Sequence, residues 1–316
     1  MTRREVSRRF CGRRSGVGEQ RRNLAEQNRR SWNEAVRAHE SHRGNLARFL
    51  RSGGSTLFPE EIELLGDVSD KKVAHLMCNA GGDSVSLASL GASVVGVDMS
   101  DAAISAARTL SKDSEIPARF ERVEVYEWLE NAASDGRIFD VVFASYGVAC
   151  WLSDLERWAD GVASILGEGG RFVLVEFHPF AAMFDAEWRL ARNYRSDGAE
   201  RDAGGVGDYV CDSGGGLVPS GFVEGVGDFE NPEACHLFRW GLGDVVSAVA
   251  GAGMAVEALE EYPYSNGERN FAGMRELPGR RMFPPEGAPA VPLMYGLSAR
   301  KTSSAKEFPI RRGRSS

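Results

Sequence analysis

The sequence predicts an α/β fold in which a doubly wound, mainly parallel seven-stranded sheet is covered by helices on both faces. Three observations predict it. Buried apolar runs alternate with helical patterns between Val73 and Phe177, the rhythm of parallel strands joined by crossover helices. Glycines punctuate that rhythm: Gly91 and Gly167 end helices, and Gly81-Gly82 makes a tight turn after the first strand. An acidic residue, Asp98, ends the second strand, where such sheets open their ligand crevice.

The elements are taken in chain order. Residues 1–22 are rich in Arg, Ser and Gly, with little to bury, and are expected to be a disordered basic tail. Leu24, Trp32, Val36, Leu46, Phe49 and Leu50 then recur at helical spacing, and Gly53-Gly54 breaks the pattern. Pro59 opens a short helix carrying Ile62, Leu64 and Leu65. Residues 23–66 are thus N-terminal helices, expected to serve as a lid on a main domain over 67–301. That domain holds strands near 73–78, 93–97, 118–123, 139–145, 171–177, 255–259 and 293–299. Helices are expected over 84–90, 102–110 (capped by Ser100 or Asp101), 155–166 and 241–253. Residues 179–240, rich in Gly, Asp and aromatic side chains, read as an insertion after the fifth strand, large enough to cap an apolar substrate. The Pro- and Gly-rich run 276–292 reads as a long connection, and 302–316 as a second disordered basic tail.

Composition narrows the function. The chain has 316 residues, 42% apolar and 26% charged, a balance that supports a sizeable core. No run approaches the roughly 20 apolar residues of a membrane span, and no apolar segment near Met1 reads as a signal peptide. A cytoplasmic monomer or homodimer is expected, with no membrane partner. The net charge is −7, yet residues 1–30 hold ten Arg against three Glu, so the body between the ends is strongly acidic. That is the reverse of a nucleic-acid-binding surface. The five cysteines are scattered without C-x-x-C or zinc-type spacing, so neither a disulfide framework nor a metal is expected.

The segment from Val73 to Ser100 is the most informative. A strand runs into the turn Cys78-Asn79-Ala80-Gly81-Gly82-Asp83, a helix comes next, and the second strand ends at Asp98. A carboxylate there can accept hydrogen bonds from both hydroxyls of a ribose. A dinucleotide needs G-x-G-x-x-G and a pyrophosphate on the helix N-terminus. This turn lacks that spacing and puts Asp83 where the pyrophosphate would lie. S-adenosylmethionine carries no phosphate and tolerates an acidic turn.

Here the chain resembles the class I S-adenosylmethionine-dependent methyltransferases, through residues 75–84 and 96–100, supported by 139–145 and 169–175. The segments Glu261–Gly267 and Leu277–Arg281 are similar to a bacterial subgroup that modifies small molecules. The pattern departs from D-x-G-x-G-x-G at His75, Met77 and Asn79, although a Cys-Asn turn recurs in that subgroup. The resemblance implies a Rossmann-like fold with S-adenosylmethionine as cofactor. It implies that Cys78, Asn79, Gly81 and Ser84 line the methionine moiety, Asp98 holds the ribose, and Met99, Glu124 and Val125 meet the adenine. Ser145 and Tyr146 would lie beside the sulfonium. Core packing is the competing reading of Met99, and a solvated helix-start charge that of Glu124.

Methyl transfer needs alignment, exclusion of water and, for a hydroxyl or ammonium acceptor, a proton acceptor. His178, after the fifth strand, is the candidate general base, with Tyr146 beside it as a catalytic candidate. Trp151, Phe180 and His39 are candidate substrate contacts; Trp32 and His42 share the N-terminal helix with His39. The function expected is methylation of a nitrogen or oxygen on a small molecule such as a specialised metabolite. Nitrogen is favoured because neither an acid–base pair nor a metal site suited to phenols is visible. The alternatives are an NAD(P)-dependent oxidoreductase on the same type of sheet and a non-catalytic adenosyl-binding protein.

Overall fold

The computed structural model describes residues 3–302, with 3–18 described by their backbone alone. Helices α1 (Arg3–Ser41), α2 (Leu46–Arg51) and α3 (Pro59–Leu65) precede the sheet. Then β1 (Lys72–Leu76), α4 (Gly82–Ser89), β2 (Ser93–Asp98), α5 (Asp101–Ser114), β3 (Arg119–Arg122), α6 (Val125–Ser134), β4 (Phe139–Ser145), α7 (Leu155–Ile165) and β5 (Leu166–Phe177) alternate, with α6 a helix the sequence pattern does not assign. Beyond them come β6 (Glu200–Asp202), α8 (Tyr209–Ser213), β7 (Cys235–Leu237), α9 (Leu242–Gly251), β8 (Met254–Tyr262), β9 (Ser265–Asn266), β10 (Arg275–Leu277), β11 (Arg281–Phe283) and β12 (Met294–Lys301).

The main sheet has seven strands in the order β3-β2-β1-β4-β5-β12-β8. The first five pair in parallel. β12 inserts antiparallel between β5 and β8. The chain reverses direction in that order beside β1, so the carboxyl ends of β1 and β4 diverge into a crevice. One apolar layer, containing Trp128, Trp158, Phe172 and Leu297, packs α6, α7 and α9 on one face. The other, with Leu64, Leu65, Phe143, Val175 and Met294, packs α3 on the opposite face. The expected Rossmann-like, doubly wound sheet is thus the observed one.

Two connections differ from expectation. The run 276–292 contains a hairpin, β10–β11, which β9 extends to a three-stranded sheet. Pro278-Gly279 marks its turn, with Gly279 at φ 87° and Arg280 at φ 59°; a Pro-Gly pair favours a hairpin as readily as a loop. The helix α1 also runs back through residues 3–22, where a disordered tail is expected. Arg, Glu and Gln there have good helix propensity, which an expectation based on burial leaves out. Residues 303–316 of the other expected tail lie outside the described residues.

α1 is tied to the segment between β5 and α9 by paired amides. Asn28 donates to the His236 carbonyl at 2.9 Å and accepts from the His236 N–H at 2.7 Å. The Ser31 hydroxyl accepts from the Val206 N–H at 2.9 Å, and the Val223 N–H donates to the His42 carbonyl at 2.9 Å. On its other side, Asn33 accepts from Ser100 at 2.7 Å at the start of α5. No helix among the described residues is long and apolar enough to cross a membrane.

Candidate active site

The turn after β1 is wound through the left-handed region at Met77, Asn79 and Gly81, with φ of 54°, 49° and 79°. Asn tolerates that conformation because its short side chain bonds locally; here the Asn79 side-chain oxygen accepts from the Ala80 N–H at 2.6 Å. Gly81 has a second constraint, since a Cβ there would come within 2.7 Å of Ala107 and 2.9 Å of the Phe120 ring. The winding brings the Asn79 N–H to 3.0 Å from one Asp98 oxygen, and the Ser100 N–H lies 2.8 Å from the other. Burial pushes the Asp98 pKa up, and these amides pull it back. The carboxylate is fixed against the turn with lone pairs to spare.

Asp83 lies at the start of α4. Its oxygens accept from the Thr56 hydroxyl at 2.6 Å and the Ser145 hydroxyl at 3.4 Å. No Lys or Arg occurs between Cys78 and Ser89. A polyphosphate placed on this helix start would meet the Asp83 carboxylate.

The chain after β4 is held from below. Glu176, 4% exposed, accepts four backbone N–H groups: Gly147 at 2.5 Å, Val148 at 2.7 Å, Ala149 at 2.8 Å and Phe177 at 2.7 Å. Burial pushes its pKa up and the amides oppose that. This clamp fixes Tyr146, at φ 46°, whose hydroxyl accepts from Asn266 at 2.9 Å.

These parts surround a cavity of 1690 Å³, larger than the ~300–1,000 Å³ of a single-ligand pocket. Cys78, Asn79, Gly81, Asp98, Met99, Glu124, Val125, Ser145, Tyr146 and Trp151 all line it. So do Trp32 from α1 and Tyr209 from α8, whose rings meet edge-on 6.4 Å apart, and Trp151 lies 5.4 Å from Trp32. Tyr209 also reaches the cofactor-type turn, accepting from Asn79 at 3.3 Å.

Four expected site residues are not among the cavity-lining ones. Ser84 is fully buried behind the turn, its hydroxyl 2.8 Å from His75 Nδ1. His75, in the place of the usual acid, is held neutral by burial, which pushes its pKa down to about 4. His178 extends the β5 ladder, its N–H donating to the Leu293 carbonyl at 2.9 Å. Its Nδ1 accepts from the Phe180 N–H at 3.1 Å and its Nε2 lies 2.8 Å from a Glu261 oxygen. Phe180 packs edge-on against Phe184 at 5.3 Å. His39 sits beneath Tyr209 at 4.2 Å and bonds the Gly207 carbonyl at 3.0 Å; burial pushes its pKa down to about 4.

Tyr209 is one of the insertion's aromatic side chains expected to cap the crevice; other lining residues escape sequence reasoning, among them Thr56, Glu268 and Arg280. The two segments that carry the subgroup resemblance deliver Asn266 and Arg280 to the wall; Glu268 has no local signal. One group outside the cavity, His42, Asp208 and Cys211, places possible metal-binding atoms within 4.8 Å of one another. Within it His42 and Asp208 already pair at 2.9 Å.

Residues 75–172 match a family model described as a methyltransferase domain. A comparison with curated proteins finds no match. A structure from Mesorhizobium loti, described as an S-adenosylmethionine dependent methyltransferase, is similar at 18% identity and a TM-score of 0.51, over 79% of this chain and 99% of that one. One from Listeria monocytogenes, provisionally assigned the same activity, is similar at 16% identity and a TM-score of 0.51, over 77% and 95%. Both likenesses are likenesses of fold, and they extend well past residues 75–172 into the rest of the chain.

Proposed function

We propose that this protein transfers a methyl group from S-adenosylmethionine to a nitrogen or oxygen of a small molecule. The observation that carries the reading is Asp98, fixed against a wound, phosphate-hostile turn inside a cavity with room for two ligands. Asp98 would hold the ribose hydroxyls. Met99, Glu124 and Val125 would frame the adenine. Cys78, Asn79 and Gly81 would run along the methionine moiety, with the Asp83 carboxylate close to its ammonium in the place His75 leaves unfilled. When bound, the cofactor supplies an electrophilic methyl group on a sulfonium.

The chain's own contribution is positioning and screening. Trp32, Trp151 and Tyr209 form an aromatic wall opposite the turn, and an aromatic face near a cation contributes about 0.5–2 kcal/mol. The amides that Glu176 holds fix Tyr146 and Gly147 at the edge of the acceptor space. α1 and the segment 179–240 close over the crevice and keep water from it. Aligning the acceptor in this way is worth roughly 7–11 kcal/mol of barrier at best.

Calorimetric titration with S-adenosylhomocysteine tests the reading. The full chain is expected to bind it and to bind no NAD(H). Asp98→Ala is expected to weaken binding by roughly 10- to 150-fold for each charge-assisted bond lost. Absence of binding, or preference for NAD(H), would overturn the proposal.

A further inference from the structure

We infer that Glu268 is the acceptor-side anchor of the cavity: it binds the methyl acceptor as an ammonium ion and takes its proton, so that the substrate is a primary or secondary amine. This rests on the reading of the cavity as a methyl-transfer site.

Position comes first. Glu268 lies just after β9 and lines the cavity. Its backbone is pinned on every side. Gly267, at φ 73°, donates to the Arg280 carbonyl at 2.8 Å, and the Glu268 N–H donates to the Asn266 carbonyl at 2.9 Å. The Glu268 carbonyl accepts from the Ser265 hydroxyl at 2.7 Å. The side chain is therefore presented by a rigid turn. Asp83, Asp98 and Glu124, which line the cavity beside the β1 turn and the start of α6, are each committed to donors of the chain. The Glu268 carboxylate, partly buried on the cavity wall, has no hydrogen-bond or ion-pair partner among the described residues and is open to a donor that a ligand supplies.

Its surroundings make it basic. Burial comes first, then the charges of Glu176 on β5 and Asp212 on α8, and together they push the pKa up to about 8. Its own charge adds to burial in pushing up Tyr209 on α8 and Cys150 after β4, which places it between those walls. Arg269, the next residue, pairs with Glu276 at 2.7 Å. An amine arrives in water as an ammonium. One N–H bond breaks and an O–H bond forms on Glu268, the electron pair stays on nitrogen, and the neutral amine is left ready for methylation. A carboxylate of ordinary acidity would bind the ammonium but hardly deprotonate it. A neutral alcohol offers no charge to anchor.

The test uses the full chain saturated with S-adenosylhomocysteine, titrated calorimetrically with phenethylamine, tryptamine and their N-methyl derivatives, and with the matched alcohols phenethyl alcohol and tryptophol. Wild type is expected to bind at least one amine tenfold or more tighter than its alcohol, with the preference growing from pH 6.5 to pH 8.5 as Glu268 ionises. Glu268→Gln is expected to erase the preference while S-adenosylhomocysteine binding stays unchanged, which also shows that the variant is folded. Equal binding of alcohols, a preference retained in Glu268→Gln, or no amine binding at all to the S-adenosylhomocysteine-loaded chain would each overturn the inference. Failure of wild type to bind S-adenosylhomocysteine would instead defeat the methyl-transfer reading beneath it.

Discussion

Replacing Glu176 by Gln removes one charge and barely changes the side chain's size, yet four backbone amides depend on that carboxylate. One oxygen accepts from Gly147 and Phe177, the other from Val148 and Ala149. An amide side chain keeps one acceptor oxygen and turns its NH₂ toward the remaining pair. Two charge-assisted bonds are lost, at about 1.5–3 kcal/mol each, so the fold should lose about 3–6 kcal/mol. For a domain of this size that corresponds to a fall of about 6–12 °C in melting temperature, at roughly 2 °C per kcal/mol. The assay is thermal unfolding of Glu176→Gln beside wild type, and then S-adenosylhomocysteine titration. Because the freed amides belong to 147–149, at the cavity edge, weaker binding of bulky acceptors should accompany the lower stability. A fall below 2 °C would refute the assignment of Glu176 as the clamp on this loop.

Named contacts set two further outcomes. Gly81→Ala would combine a left-handed backbone with a Cβ inside contact distance of Ala107 and Phe120, so it should cost about 1–3 kcal/mol and displace the turn; unchanged melting and unchanged S-adenosylhomocysteine affinity would contradict it. Glu61 is fully buried with one oxygen unpartnered, and burial, then the charge of Asp83, raises its pKa well above the ordinary carboxylate value. A raised folded-state pKa gives stability that is present below the unfolded value and is lost as pH climbs through the raised one, so Glu61→Gln should pull ahead of wild type in melting temperature as pH rises from 5 to 9, and a constant gap would sink the assignment.

The sheet was legible because its signals are local. β1, β2, β4 and β5 each carry an apolar run, while the edge strand β3, Arg-Phe-Glu-Arg, gives a weaker signal, and glycines mark the turns between element types. That Cys78 to Gly81 and Asp98 line the crevice was equally legible, because they are strand-end residues whose side of the sheet topology dictates. His178 was not, although it too lies just past a strand. Its N–H continues the ladder with Leu293, and that pairing swings the ring toward Glu261 on β8 instead of into the crevice. His39 and Trp32 share a helix, but seven residues apart they reach different depths, and Tyr209 covers the histidine. Tyr209 and Glu268 lie 130 and 189 positions beyond Asn79, and only the completed fold sets them opposite the turn.

The amide pairs between α1 and the chain around residues 206–236 have a mechanical consequence. With Asn28, Ser31 and His42 engaged on one side and Asn33 joined to Ser100 on the other, neither cover of the crevice can swing away singly without stranding polar groups. Admission and discharge of ligands should therefore proceed as one hinged movement of both pieces, and the speed of that movement sets a ceiling on turnover however quick the chemistry beneath it.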